Sequence, residues 1–312
     1  MADLILHHYA TSPYSEKIRL ILGYKKLPWK SVTQPPVMPK PDQVALTGGY
    51  RKAPVLQIGA DIYCDTKLIV RVLERLQPMP ALLRPEIAAS VVAFEQWTEQ
   101  TLFNTMVPAA FQPQGLAYFF NKMPAAVMGV FQQDRAALFA GGAAKPPSGG
   151  ASRNELPVHL AVLEAQLGGP PYLLGAAPTL ADFTVHHLVW FVLGNPGVAS
   201  TFAPYPNIRD WAGRINAIGH GSFSELSAEQ AIQIARNSEP LADAADNIPD
   251  PNGVKLGDAV AISAIDYGCD PVRGVLVKST LDEVALKRSD PRAGDVVVHF
   301  PRVGFKIAAD KK

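Results

Sequence analysis

Thr11-Ser-Pro-Tyr-Ser-Glu-Lys-Ile-Arg19 decides the architecture, because it turns a strand sharply into a helix with hydroxyls at the helix mouth. Leu4-Ile-Leu6, continuing to Tyr9, is a short apolar run of the kind a buried strand uses. Pro13 suits the first helical position, where its missing N–H would lack a partner anyway. Tyr14, Ile18, Ile21 and Leu22 then recur at helical spacing and mark the buried face.

A second stretch belongs with the first: Arg51-Lys-Ala-Pro-Val55, running on to Cys64-Asp-Thr66. Val55-Leu-Gln-Ile58 and Ile62-Tyr63 flank a turn that opens on Gly59, which predicts a hairpin. Asp65 and Thr66 then open a helix. Its stripe of Leu68, Ile69, Val72, Leu73 and Leu76 faces inward, with Lys67, Arg71, Glu74 and Arg75 facing away. A further strand is expected around Trp29 to Val32. The prolines from Pro35 to Pro41 exclude a regular element there. The first eighty residues thus read β-α, a Pro-rich connection, then β-β-α.

From about Glu86 to Glu239 the pattern is helical, with long apolar-rich segments punctuated by Pro and Gly. Gly141 to Gly150 reads as a surface connection. Thr179-Leu-Ala-Asp182 has the shape of a capping box ahead of the most hydrophobic helix, which places that helix at the bundle centre. After Pro240 the pattern becomes β. Five runs (Ala259–Ile265, Val272–Val277, Glu283–Leu286, Val296–Phe300, Val303–Ile307) predict a small β-barrel or sandwich. The expectation is an α+β protein with domains at 1–80, 84–239 and 252–310.

Composition sets the limits. A chain of 312 residues suffices for two or three domains at roughly 100–200 residues each. A hydrophobic share of 48% fits a well-filled core. Net charge is +1, too small a balance to draw in nucleic acid or an anionic membrane, so neither is expected as a partner. The two cysteines, Cys64 and Cys269, form no zinc spacing and no disulfide framework, which suits a reducing cytosol. The first residues lack the pattern of a signal peptide, and Phe183 to Leu193 is too short to span a bilayer. A soluble, cytoplasmic protein is the expectation.

Ser12 stands where a helix dipole and outward N–H groups favour an anion. A free thiol titrates near 8.5, and lowering that by about two units takes roughly 2.7 kcal/mol. One hydroxyl hydrogen bond to an anion gives about 1.5–3 kcal/mol and a helix terminus about 0.3–1. Ser12 with the helix mouth therefore suffices to hold a bound sulfur ionised. Simple capping explains Ser12 equally well when it is taken alone, as it does Asp65 and Thr66. Ser15 reads as a second cap or a solvated hydroxyl. No Gly-x-Ser-x-Gly elbow surrounds either serine, which argues against a nucleophilic serine, and hydroxyls cannot form a mixed disulfide. The Ala53-Pro54 bond is trans by default. A cis bond there would expose the backbone of Val55 to pair with a peptide ligand.

The segments S-P-Y-S-E-K-I-R and K-A-P-V-L…Y-C-D-T, with T-L-A-D further on, resemble the glutathione transferase superfamily. The resemblance covers roughly residues 1–235. It implies a thioredoxin-like glutathione-binding domain, an all-helical domain and a homodimer, with the β segment as an addition. By that similarity Ser12 supports the glutathione thiolate, Pro54 is the cis-proline, and Val55 pairs with the cysteinyl part. Asp65 and Thr66 hold the γ-glutamyl end, and Lys52 lies near the tripeptide. Tyr9 and Tyr14 are alternative hydroxyls for the thiolate. Glutathione would be the co-substrate and a small-molecule electrophile its partner.

Other residues carry less. His186-His187 and His7-His8 are adjacent pairs that point apart, so no metal site is expected. Cys64 reads as a small buried side chain. Phe94, Trp97, Phe103 and Met106 read as helical core before they read as a second-substrate pocket. The resulting reading is a glutathione-dependent transferase. Isomerisation, dehalogenation, ether cleavage or peroxide reduction would need the same thiolate, and a non-catalytic binding or assembly module is the alternative of another class.

Overall fold

The computed structural model describes residues 3–121, 125–147, 149–241 and 246–310. Strand β1 (Ile5–His8) leads into α1 (Pro13–Tyr24), β2 (Trp29–Thr33) and α2 (Pro41–Thr47). The hairpin β3 (Val55–Ile58) and β4 (Asp61–Cys64) precedes α3 (Thr66–Leu76). The helical half holds α4 (Ala88–Gln96), α5 (Phe103–Ala110), α6 (Pro113–Phe120), α7 (Ala125–Phe139), α8 (Gly149–Gln166), α9 (Leu180–Leu193) and α10 (Pro206–Asn216). A π-helical turn, Trp97–Leu102, joins α4 to α5. Then come β5 (Phe223–Glu225), α11 (Ala228–Arg236), β6 (Ala259–Ala264), β7 (Val272–Ser279), β8 (Glu283–Asp290), β9 (Gly294–Pro301) and β10 (Phe305–Ala309).

The chain is α+β, with a helical half and C-terminal β strands, as its patterning predicts, and a thioredoxin-like start, as the family resemblance implies. Two elements depart from expectation. Helix α2 begins inside the Pro-rich stretch, because Pro41 takes the first helical position, where proline is tolerated. Strand β5 lies within the segment read as helical; three residues are too few to show a period.

The ten strands of the described residues form one sheet, in the order β10-β6-β7-β8-β9-β4-β3-β1-β2-β5. The C-terminal strands are therefore joined to the thioredoxin-like part. β9 runs parallel to β4, with Asp61, Ile62 and Tyr63 opposite Val297, Val298 and His299. That pairing covers an edge that would otherwise offer unpaired backbone groups to another chain.

Alternation along β4 divides the core. Ile62 and Cys64 pack in a cluster with Val260, Leu276, Val298 and Phe300 of the C-terminal strands. Tyr63, on the opposite face, joins the cluster that holds α1, α3 and the helical half. Within that cluster α9 is central: Phe183, Val185, Leu188 and Val192 are fully buried. The Asp182 carboxylate accepts the Thr179 N–H at 2.8 Å, the reach-back bond of the expected capping box.

Candidate functional site

Helix α1 is presented by a braced turn. Arg19 donates to Glu16 at 2.6 Å and to the carbonyls of Tyr9 and Ala10 at 3.3 and 3.0 Å, so the residues before Ser12 are held from inside. Ser12 is the N-cap: its Oγ accepts the Ser15 N–H at 3.1 Å, and only 1% of the residue is exposed. That bond uses a lone pair and leaves the hydroxyl proton to be donated elsewhere. Ser15, expected as a cap or a solvated hydroxyl, is instead buried, and its Oγ has no hydrogen-bond partner among the described residues.

The opening of α3 repeats the device. Asp65 caps the helix by accepting the Lys67 N–H at 2.9 Å through one carboxylate oxygen. Its backbone sits at φ +74°, a region a non-glycine residue enters at a cost of about 1–3 kcal/mol. Thr66 follows, buried at the first helical position. The Ala53-Pro54 bond is cis.

Sheet register shows why these residues meet. Val55 lies opposite His7 of β1 and opposite Cys64 of β4. The end of β1, the start of β3 and the end of β4 thus share one end of the sheet. Ser12, Pro54 with Val55, and Asp65 with Thr66 come together there.

Lys52 reaches the same end but is already engaged. Its Nζ donates to Asp266 at 2.7 Å and lies 4.1 Å from the centre of the Tyr267 ring. Both partners come from the β6–β7 loop, which reads in the sequence as an ordinary turn. The Tyr14 hydroxyl also meets Tyr267, and burial pushes the Tyr14 phenol well above its usual range. Tyr9 is raised by burial too, while the Arg135 guanidinium and the Ser12 hydroxyl beside it pull it back down.

Sequence reading missed a second group. Asp134, on α7, accepts from Arg51 at 2.5 Å and from the Met38 N–H at 2.9 Å, tying the helical half to the Pro-rich loop. Lys40 donates to the Arg51 carbonyl at 2.9 Å and stands 5.8 Å from the Tyr9 ring; burial lowers its pKa to about 8. A lone acid in mid-helix gives no sequence signal for such a role.

The histidines set aside are core residues: His7, His8 and His186 are buried, and burial lowers each to a pKa of about 4. Cys64 is buried, and burial pushes its thiol well up, which makes it unreactive. Met106 is core, as expected, and Phe94, Trp97 and Phe103 pack against the same cluster, the Phe103 ring also stacking on Tyr267 at 6.2 Å. Among the described residues no cluster of three or more His, Cys, Asp or Glu is arranged to hold a metal ion. No described helix is long and apolar enough to cross a membrane.

Family models match two stretches of the chain. The model for the glutathione S-transferase N-terminal domain matches residues 6–81, and that for the C-terminal domain matches residues 149–214. A GST-like protein from Pseudomonas syringae is 42% identical, covering 99% of this chain and 100% of its own, with a TM-score of 0.81. The chain belongs to the glutathione S-transferase family.

Two more distant glutathione S-transferase structures share the fold. That from Rhodospirillum rubrum is 18% identical, covers 69% of this chain and 88% of its own, and has a TM-score of 0.53. That from Sinorhizobium meliloti is 17% identical, covers 69% and 89%, and has a TM-score of 0.52. A search of curated proteins found no match. The Pseudomonas protein spans the whole of this glutathione S-transferase chain, β6 to β10 included, whereas the two distant structures span only part of it.

Proposed function

We propose that this protein is a glutathione-dependent transferase in which Ser12 supports the glutathione thiolate for attack on a small electrophile. The observation that carries the reading is the Ser12 hydroxyl: buried at the mouth of α1, it accepts from Ser15 and has a proton to turn from the Tyr9 phenol beside it toward a bound anion. Val55 sits between β1 and β4 with its backbone groups paired in the sheet. The chain before the cis Ala53-Pro54 bond is thus left to receive the cysteinyl part, and Asp65 with Thr66 receives the γ-glutamyl end. Burial strengthens each such bond, because the competing solvent is excluded. In the reaction the thiolate sulfur bonds to the electrophilic carbon as the leaving group departs with its electron pair. Location in a reducing cytosol and a homodimeric assembly belong to the same reading. Family membership and two cysteines that form no disulfide support them.

Titrating the full-length protein with glutathione in a calorimeter tests the proposal. Saturable heat in the micromolar to millimolar range, with a matching rise in Tm, is expected. Neither heat nor stabilisation at millimolar glutathione would leave the fold serving as a binding or assembly module.

A further inference from the structure

The β6–β7 loop, residues 265–271, extends from the C-terminal strands back to the helix mouths. One side of it is clamped to the end of α7 and the turn beyond. Gly268 N–H donates to the Leu138 carbonyl at 2.6 Å, Ala143 N–H to that of Ile265 at 2.9 Å, and Ala144 N–H to that of Asp266 at 3.0 Å. A Cβ at Gly142 would stand 1.8 Å from the Asp266 carbonyl oxygen, so this approach requires glycine.

The other side of the loop meets the candidate site. Asp266 holds Lys52, and the Lys52 ammonium faces the Tyr267 ring. That ring stacks on Phe139 at 4.9 Å and on Phe103 at 6.2 Å. Its hydroxyl meets Tyr14, and burial followed by the Asp266 charge raises the Tyr267 phenol, with Glu99 and Asp65 adding to the rise. Tyr267 therefore stands among the first turn of α1, the segment before Pro54 and the acid that opens α3. The loop thus borders the ground between Ser12 and Asp65. Around this end of the sheet Ser12 and Val55 are each 1% exposed and Thr66 is 4% exposed, while Lys52 and Asp65 are half-buried.

We propose that the β6–β7 loop is a built-in gate on this cleft: Asp266 takes the place of a ligand carboxylate on Lys52, Tyr267 fills the path between the two helix mouths, and the tripeptide enters as the loop gives way. The gate rests on the reading of the cleft as a glutathione site. It gives the C-terminal strands a task, since β6 and β7 anchor the loop while β9 fixes them to β4. A ligand that binds only the open form has its apparent Kd raised by the reciprocal of the open fraction. A gate closed nine-tenths of the time thus weakens binding about tenfold.

Two variants test this, Tyr267→Ala and the isosteric Asp266→Asn, the second kept because loss of the ring could disturb packing. Glutathione titration should show Kd lowered about tenfold in Tyr267→Ala and by a smaller factor in Asp266→Asn. Unchanged or weaker binding in both would overturn the gate and make the loop an ordinary wall of the site. A measurement without glutathione runs beside it: labelling with an amine-reactive reagent, read at Lys52 by mass spectrometry. Lys52 should label faster in both variants than in the unaltered protein, and equal rates overturn the gate. If no form of the protein binds glutathione, the transferase reading fails, and the Lys52 labelling alone decides whether the loop closes the cleft.

Discussion

Strand β4 has an aspartate at each end, and the two are used in opposite ways. Asp61 begins the strand, 1% exposed, with both oxygens committed: one accepts from His299 at 2.9 Å and the other from the Leu241 N–H at 2.9 Å. His299 is itself spent, since its other ring nitrogen bonds Glu283 at 2.5 Å, and its ring stacks on Tyr63 at 4.4 Å. Asp65, just past the other end, uses one oxygen for a cap and holds a strained φ. A saturated polar cluster at a strand junction holds the sheet together. Spare bonding capacity on a strained backbone points to a partner from outside the chain.

The largest expected effect lies at the saturated end. Replacing His299 by Ala leaves Asp61 and Glu283 buried without their shared partner, and breaking such a pair costs about 3–5 kcal/mol. Urea unfolding should show a midpoint well below that of the unaltered protein. A shift under about 1 kcal/mol would mean that water replaces the imidazole and that the β4–β9 seam does not depend on it.

The pH dependence of that seam follows in sign. The partners Asp61 and Glu283 raise the His299 pKa above 6.5 despite burial, which opposes them. Its contribution is complete below the unfolded value of about 6.5 and is lost as pH rises through the higher folded value. Glu283, lowered to about 2 by His299, Lys278 and Arg75 against its own burial, contributes above its usual 4.5 and loses that as pH falls toward 2. The seam is strongest between about pH 4.5 and 6.5. A plot of Tm against pH should fall on both sides of that window, and the upper limb should flatten in His299→Ala.

At the unsaturated end, Asp65→Asn keeps a capping side chain that tolerates positive φ and removes only the charge. Glutathione affinity should drop roughly ten- to a hundredfold, from the loss of about 1.5–3 kcal/mol of charge-assisted bonding, with little change in the urea midpoint. Unaltered affinity would remove Asp65 from the site, and a large stability loss would place it with Asp61 as structural.

The contrast between the two ends also marks what the sequence disclosed. Helix α1, the β3–β4 hairpin, α3, the Thr179–Asp182 cap and the five C-terminal strands are written in short periods and local turn chemistry, so they are legible. Ser12 and Asp65 stand out as helix caps for the same reason, whereas their place in a site, and the cis bond at Pro54, are what the family resemblance implies. The β4–β9 pairing was not, because a parallel pair with no local connection leaves no mark on either strand's pattern. His299 reads as one more strand residue until Asp61 and Glu283 are placed against it. Asp266 and Tyr267 read as a turn, since only the fold brings them to Lys52.

The smallest expected effect belongs to the hydroxyl on which the proposed chemistry turns. Ser12→Ala removes an N-cap acceptor, which costs about 1 kcal/mol of stability, and one donor to the bound sulfur. Losing that donor should raise the pKa of bound glutathione by about one to two units while Kd, measured at a pH below the thiol's range, changes little. Transfer rates near neutral pH should then fall about three- to twenty-five-fold, with the thiolate fraction, and recover as the pH is raised. Tyr9→Phe is the companion measurement, because the Tyr9 phenol lies beside the Ser12 hydroxyl and its own pKa is raised by burial. A raised phenol pKa lets Tyr9 donate a hydrogen bond but keeps it from ionising, so its removal should move the profile less than removal of Ser12. A profile that shifts with Tyr9→Phe and not with Ser12→Ala would assign the sulfur to the phenol and return Ser12 to the role of a helix cap.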